Sequence, residues 1–366
     1  MNFFGRSAGD KRSRVISLQR ANCHRPPFTH YAAPMSRVAI TGASGLLGGN
    51  LAAILCAEGH RVVVTRRRGS RVEHLAHLDI DWRDADLDDT AGLTRAFADC
   101  ATVFHCAAAV TVVRDVSPAM HAANVTGTAN VIEACVRAHV PRLVHTSSVV
   151  AIALTDNGIP SDETATWNFD RFGLEDAYSI TKRDAEDLVR KNLSRLDAVI
   201  VNPAYMIGPL DARPSSGRLI IEVIRRRVPG TTPGINNFAD VRDVARGMIA
   251  AWQRGRRGER YILAGHEMSY GEFFHLVARV ARVKPPRFAV PWPIAYAVGK
   301  VGDLMERMHR EPLANSVQMR FAFTDKFRFA SDKAAKELGY TISPLEPAIR
   351  DAIRWFEENG KLTPIL

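Results

Sequence analysis

Three features of this 366-residue chain predict an α/β fold: a doubly wound parallel sheet with a smaller mixed C-terminal substrate lobe. The first is the run Val38-Ala39-Ile40-Thr41-Gly42-Ala43-Ser44-Gly45-Leu46-Leu47-Gly48, a short apolar strand entering a glycine turn. An apolar helical pattern follows it through Leu51, Ile54 and Leu55. The second is an alternation of strand and helix from Arg37 to Pro203, which implies a parallel sheet with helices on both faces. The third is a change of character after Pro203. Prolines and glycines at 203, 208, 209, 214, 217, 229, 230, 233 and 234 cut the chain into short pieces, as suits a lobe closing over a cleft.

In order, strands are expected over 37–41, 61–65, 79–82, 101–105, 142–147 and 197–202. Helices are expected over 46–58, 90–98, 119–139 and 176–195. The boundaries that follow are a basic tail over 1–35, a nucleotide-binding domain over 36–203, and a region over 204–366 that is mainly substrate lobe. Some elements of that last region are expected to return to the first domain. In such a fold the ligand lies at the carboxyl ends of the strands.

Gly42 permits the tight turn, Gly45 lets backbone approach a pyrophosphate, and Gly48 lets the helix pack closely on the strand. With Ser44 and Leu46 between them, they form a loop whose phosphates sit at the positive end of a helix. The second strand, Val62-Val63-Val64-Thr65, ends in Arg66-Arg67-Arg68 with no acid. An acid there binds a ribose 2′-hydroxyl, whereas arginine accommodates a 2′-phosphate through charge-assisted pairing. NADP(H) is therefore the preferred cofactor, with NAD(H) the alternative. Asp86 and Leu87 follow the third strand, where a carboxylate can accept a hydrogen bond from an adenine amino group. His105-Cys106-Ala107-Ala108 closes the fourth strand with small residues and leaves room for a cofactor against the backbone.

Tyr178 and Lys182 are four residues apart on a predicted helix and so share a face. A nearby ammonium favours phenolate and lowers a phenol pKa from its reference of about 10. Tyr178 is thus a candidate for exchanging a proton with a carbonyl or alcohol oxygen. Ser147-Ser148 ends the fifth strand and points hydroxyls into the same crevice.

Composition narrows the alternatives. Half of the net charge of +10 lies in residues 1–34, leaving an ordinary balance for the remaining chain and no basis for nucleic-acid binding. That tail reads as a mis-chosen start before Met35, a disordered basic arm, or a targeting segment. No apolar run reaches the roughly 18 residues that span a bilayer. Cys23, Cys56, Cys100, Cys106 and Cys135 have no metal-ligand spacing and read as reduced cytoplasmic thiols. The 12 histidines form no paired ligand motif, so no metal is expected.

Taken together, Thr41-Gly-x-x-Gly-x-x-Gly48, Asp86-Leu87, His105-x-Ala-Ala108, Asn124-Val-x-Gly-Thr128, Ser147-Ser148 and Tyr178-x-x-x-Lys182 resemble the extended short-chain dehydrogenase/reductase family. This is the NAD-dependent epimerase/dehydratase superfamily, whose first domain is of Rossmann type, and the resemblance covers 36–360. It implies Ser148 as catalytic serine, with Ser147 as fallback, Tyr178 as acid/base, and Lys182 as its partner and holder of the nicotinamide ribose. Asn124 is implied as a support acting through backbone or water. Asn202-Pro203 with Gly208-Pro209 resembles the loop beside the nicotinamide, which places Pro203 against the cofactor.

Within the family the chain is most similar to the dihydroflavonol-reductase-like and 3β-hydroxysteroid-dehydrogenase-like branch. Asn202-Pro-x-x-x-x-Gly-Pro209, Gly258-Glu-Arg-Tyr-Ile-Leu263 and Trp355-Phe-x-x-Asn-Gly360 look most like its hopanoid-associated sugar epimerase group. The implied activity is an NADP(H)-dependent oxidoreductase interconverting a carbonyl and a secondary alcohol on a hydrophobic substrate. The alternative is a nucleotide-sugar epimerase or dehydratase. Two departures weigh against the alternative. Ser148 is followed by Val-Val-Ala-Ile-Ala-Leu154 rather than Tyr-Gly, and no arginine precedes Val241-Arg-Asp-Val244; Arg218, Arg225, Arg226 or Arg227 would have to compensate. The apolar segment from Phe288 through Val298, Val301 and Leu304 is a candidate pocket lining or peripheral membrane contact. Helices 119–139 and 176–195 are expected to pair in a homodimer, as in the family.

Overall fold

The computed structural model describes residues 35–308 and 314–364, so the readings of residues 1–34 fall outside it. The first half runs β1 (Arg37–Thr41), α1 (Leu46–Ala57), β2 (Arg61–Arg66), β3 (Ile80–Asp84), α2 (Thr90–Phe97), β4 (Thr102–His105), α3 (Pro118–His121), α4 (Gly127–Arg137), β5 (Leu143–Thr146), α5 (Ala177–Lys191) and β6 (Ala198–Pro203). There follow β7 (Tyr205–Ile207), α6 (Arg218–Ile224), β8 (Ile235–Asp240), α7 (Val241–Arg254), β9 (Arg260–Leu263), β10 (His266–Ser269), α8 (Tyr270–Val280), α9 (Trp292–Arg307), α10 (Ser316–Phe323), α11 (Asp332–Leu338) and α12 (Leu345–Glu358).

Seven strands form a parallel sheet in the order β3-β2-β1-β4-β5-β6-β9. Both faces are covered, so the strands are apolar on both sides. Val38 and Ile40 of β1 join the layer beneath α1 and α7, while Ala39 points into the layer beneath α2 and α4. Helix α1 packs between the sheet and α7 and is buried nearly all round, which explains its uniformly apolar sequence. The second, three-stranded sheet has the order β10-β8-β7 and is mixed: β7 pairs parallel to β8, and β10 antiparallel. Its core is aromatic, with Phe238 stacked on Phe273 at 4.2 Å. The expected α/β class, with a parallel sheet and a smaller mixed sheet, is what the chain forms.

Two boundaries differ from expectation in ways that matter. The third strand extends to Asp84 instead of stopping at 82, because its register carries on to pair Arg66 with Asp84. The helix expected over 119–139 is interrupted by a π-helical turn at Ala122–Thr126 between α3 and α4. Such turns widen a helix by one residue and recur at functional sites. Here the turn carries Asn124.

Gly42 and Gly59 both have left-handed backbone, with φ of 78° and 83°, but their surroundings differ. A Cβ on Gly42 would lie 2.5 Å from the Ala107 amide nitrogen, whereas one on Gly59 would meet nothing within 4 Å. Gly59→Ala is therefore expected to cost about 1 kcal/mol of conformational strain. Gly42→Ala should cost about 1–3 kcal/mol more, because backbone must move. Urea denaturation of the two variants checks this, and equal costs would show that the β4 end yields freely.

Candidate active site

The strand order reverses between β1 and β4, so the crevice opens where Gly42 meets Ala107. Each glycine of the turn has a separate task. Gly42 allows that backbone contact. A Cβ on Gly48 would stand 2.5 Å from the Gly42 carbonyl oxygen, so Gly48 lets α1 close onto the turn. A Cβ on Gly45 would touch only the Gly42 oxygen, at 3.5 Å, so this residue leaves the mouth open. No side chain caps α1 and its first turn holds no acid. The leading N–H groups of a helix have no intrahelical acceptor, and they sit at its positive end. This open, uncapped cradle fits the pyrophosphate of a dinucleotide.

A polar chain braces the cradle. Thr41 Oγ1 is 2.7 Å from His105 Nδ1 and accepts from the Ala107 N–H at 3.3 Å. His105 Nε2 is 3.1 Å from Thr128 Oγ1, which donates to the Asn124 carbonyl at 2.6 Å. Burial, with Lys182 adding to it, pushes His105 down to about 3, so a neutral imidazole links β1, β4 and α4.

On the adenosine side, Arg66 Nε donates to Asp84 at 2.9 Å and its guanidinium lies 5.2 Å over Trp82. The Asp84 carboxylate was not foreseen, because the strand was expected to end before it. It engages the guanidinium at Nε, and the Trp82 ring holds the same group from one face. Asp86 accepts from the Leu87 N–H at 2.7 Å, and the Leu87 carbonyl accepts from Asn130 at 2.8 Å. Leu87 also packs where a Cβ on Gly127 would clash, at 2.9 Å. The Asp86-Leu87 corner is thus held against the start of α4.

Helix α5 begins with a capping box. Asp176 accepts from the Ser179 N–H at 3.0 Å, and Ser179 Oγ reaches back to the Asp176 N–H at 3.1 Å. One residue into the helix stands Tyr178, half-buried, its hydroxyl facing Ser148. Lys182 is only 4% exposed, and its Nζ donates to the Thr146 carbonyl at 2.6 Å. Asn124 Nδ2 donates to Ala109 O and to Thr181 Oγ1, both at 3.0 Å, and its Oδ1 accepts from the Ala109 N–H at 2.7 Å. Ser148, Tyr178, Lys182 and Asn124 therefore converge. Pro203 ends β6 beside them, and Asn202 donates to the Ser148 carbonyl at 2.9 Å.

One expectation is corrected. Lys182 does not lower the Tyr178 pKa: desolvation pushes the phenol up to about 12, opposed by Ser148 and reinforced by Asp176. The physical reason is direction, since the ammonium is drawn onto the strand carbonyl of Thr146 rather than the phenol. Ser147 is also turned away, donating to Glu186 at 2.7 Å.

Glu186 is the residue that the sequence reading missed. It is 3% exposed and accepts from Ser147, from Asn202 at 2.9 Å, from Arg190 at 2.9 Å and from Arg260 at 3.3 Å. Its signal was present in the spacing, for it lies four residues beyond Lys182 on the same helix face. Burial pushes Lys182 down to about 8 from its ordinary 10.5, against the pull of Cys106 and Glu186. A lysine depressed in this way binds its proton less tightly folded than unfolded, so stability rises from about pH 8 to 10.5 and the full cost persists below. Lys182→Met is accordingly expected to stabilise the chain by about 2 kcal/mol at pH 7, after the lost hydrogen bond is counted. The advantage should shrink as pH rises from 8, and denaturation across that range checks it.

Comparison with known proteins agrees with this geometry. The profile of the NAD dependent epimerase/dehydratase family matches residues 38–264. A putative dihydroflavonol 4-reductase from Synechocystis is 32% identical over 339 residues, covering 90% of this chain and 97% of that protein. A sterol demethylase protein B from Methylococcus capsulatus is 32% identical, covering 88% of this chain and 99% of that one. The crystal structure of a nucleoside-diphosphate-sugar epimerase from Pseudomonas aeruginosa superposes with a TM-score of 0.73 at 27% identity, over 90% of this chain and 99% of its own. With the glycine cradle, the strand-end serine and the Tyr178–Lys182 helix in one crevice, the chain belongs to the NAD dependent epimerase/dehydratase family of extended short-chain dehydrogenases/reductases.

Proposed function

We propose that this enzyme is an NADP(H)-dependent reductase of a hydrophobic ketone. The observation that carries the reading is that Tyr178 faces Ser148 just past the carboxyl end of β5, at the strand ends where the glycine turn also lies. Gly42, Ser44, Gly45, Leu46 and Gly48 would hold the pyrophosphate, and Asp86, Leu87, Ala107 and Pro203 would flank the rest of the cofactor. Arg66, already oriented by Asp84, is the proposed contact to a 2′-phosphate. The bound nicotinamide supplies hydride chemistry. Ser148 holds the substrate oxygen, and Tyr178 delivers its hydroxyl proton to it. A phenol at about 12 stays protonated at neutral pH, so Tyr178 carries the proton that the reduction calls for. Lys182, whose ammonium is drawn onto the Thr146 carbonyl rather than the phenol, is proposed to hold the nicotinamide ribose. Asn124 keeps α5 seated through Thr181.

The segment after Ser148 carries Val-Val-Ala-Ile-Ala-Leu154 in place of Tyr-Gly, and Val149, Ile152 and Leu154 are packed into a buried apolar cluster with Phe169 and Phe327. The names of the cyanobacterial and Methylococcus relatives, a dihydroflavonol reductase and a sterol demethylase protein, fit a hydrophobic substrate. A nucleotide-sugar substrate is less well served. Arg242 is committed to Asp240 and Asp351 at 2.6 Å each, Arg225 donates to the Lys361 carbonyl at 2.7 Å, and Arg227 faces Glu222 at 3.9 Å. The homodimer proposal rests on α4 and α5, which pack side by side along one face of the sheet. The thiols Cys56, Cys100, Cys106 and Cys135 are free, which supports a reducing, cytoplasmic setting.

Arg66→Ala should weaken NADPH binding by about tenfold or more, the value of a charge-assisted contact, and leave NADH almost untouched. Calorimetric titration with both cofactors decides this, and equal losses would sink the NADP preference. Tyr178→Phe should abolish turnover of a hydrophobic ketone while NADPH affinity stays within about twofold, a readout for a proton donor rather than a structural ring.

A further inference from the structure

Helix α9 is amphipathic in the wrong sense for a helix that only serves the core. Its inward face is made of small residues, Ala295, Gly299 and Gly302, packed so tightly on the α10 N-terminus that a Cβ on Gly302 would stand 2.0 Å from the Ala314 oxygen. Its large apolar side chains point out: Ile294 is 57% exposed, Val301 59% and Leu304 57%, with Val298 and Met308 continuing the row. These positions recur every three or four residues and so form one stripe. Phe288 and Trp292, 61% and 41% exposed, extend it at the helix N-terminus.

The charges around this stripe are sorted. Between Arg282 and Met308 the chain has five cations, Arg282, Lys284, Arg287, Lys300 and Arg307, and all are exposed. Its two acids are engaged by α10, and Asp303 also pairs with Lys300 at 3.3 Å, which leaves four of the cations without an acid from this segment. Asp303 accepts from the Ser316 N–H at 2.9 Å and from Ser316 Oγ at 2.7 Å, and Glu306 accepts from Asn315 at 2.9 Å. What faces outward is an apolar stripe with aromatic residues at one end and a cationic border.

We propose that α9 and the segment 284–292 before it form a docking surface for an anionic lipid bilayer, with the helix lying in the headgroup plane. An apolar face with a basic rim is the composition of interfacial helices, and Trp favours that depth. The helix, 16 residues long, is not long and apolar enough to cross a membrane. A second copy of the chain is the poorer occupant. In a two-fold contact the same patch meets itself, so the cationic border would face its own like charges, with Glu306 held by Asn315 and Asp303 already shared between Ser316 and Lys300. Placement adds to the argument, since α10 ties α9 to the catalytic region. Asn315 donates to the Val112 carbonyl at 2.7 Å and Arg320 to the Gly173 carbonyl at 2.9 Å, in the two loops that flank the start of α5. The surface itself stands apart from the ketone-reductase reading and is tested without it.

The test is co-sedimentation of the full chain with phosphatidylcholine vesicles and with vesicles containing phosphatidylglycerol. Sedimentation is expected with the anionic vesicles, several-fold less with the neutral ones, and less again at high salt. The triple variant Ile294→Glu/Val301→Glu/Leu304→Glu should lose at least about tenfold of the bound fraction at an unchanged melting temperature, because none of these side chains is buried. A second variant, Lys284→Gln/Arg287→Gln/Arg307→Gln, should lose anionic-vesicle binding only. The proposal is overturned if the full chain does not sediment, or if the triple variant sediments undiminished, which would assign binding to the basic residues 1–34. Light scattering that shows a dimer dissolved by the triple variant would also overturn it, making a second copy the occupant.

Discussion

The ammonium of Lys182 sits in the protein interior on the carbonyl of Thr146, and much of the site's organisation follows from that contact. A buried cation is tolerated only when its donors are satisfied and countercharge lies near. The chain meets both needs from one helix turn, since Glu186 stands four residues further along α5. Glu186 in turn gathers Ser147 from the end of β5, Asn202 from β6 and Arg260 from β9, so three neighbouring strands are tied to one helix. That network sets which serine is available. With Ser147 drawn to Glu186, Ser148 is left to meet Tyr178.

A second consequence concerns the proton of Tyr178. A tyrosine whose proton is firmly held can give it to a developing alkoxide, which is a far stronger base than a phenolate. In the reverse reaction the same residue takes the proton back, so the balance between the two directions is set by the reactants and not by this group. Lys182 is within one helical turn but spends its hydrogen bond on the strand.

The sequence was most legible where a residue type is dictated by space. Gly42 and Gly48 are identifiable because no other residue fits 2.5 Å from backbone atoms, and that constraint is local. The alternation of strand and helix was legible for a similar reason, since a sheet covered on both faces demands apolar strands such as Val62-Val63-Val64. Tyr178 and Lys182 could be paired because spacing along a helix is fixed. What escaped is set by distant partners. Glu186 lies on a helix rich in charge and reads as solvated, and only the strands across from it bury it. Asp84 needed the register of β2 against β3, and the π turn at Asn124 has no sequence mark. The expected effect of Lys182 on Tyr178 failed because spacing places two side chains on one face without saying where their tips point.

The apolar stripe of α9 and the buried aromatic cluster next to Ser148 are joined through one short helix. Trp292 at the surface is 5.1 Å from Phe323 at the end of α10. Two residues earlier, Phe321 packs 5.2 Å from Phe327, which belongs to the cluster holding Val149 and Ile152 just after Ser148. Aromatic contacts therefore run by way of α10 from the proposed lipid-facing surface to the segment following Ser148. Apolar surface exposed to water is costly, at roughly 25 cal/mol per Å2, and a stripe of this kind weakens solubility unless something covers it. The proposed lipid surface would cover it, and a bilayer is also where hydrophobic molecules of the proposed substrate class partition. On that argument the proposed docking of α9 and the proposed reduction of a hydrophobic ketone serve one end, with the cationic border favouring an anionic membrane.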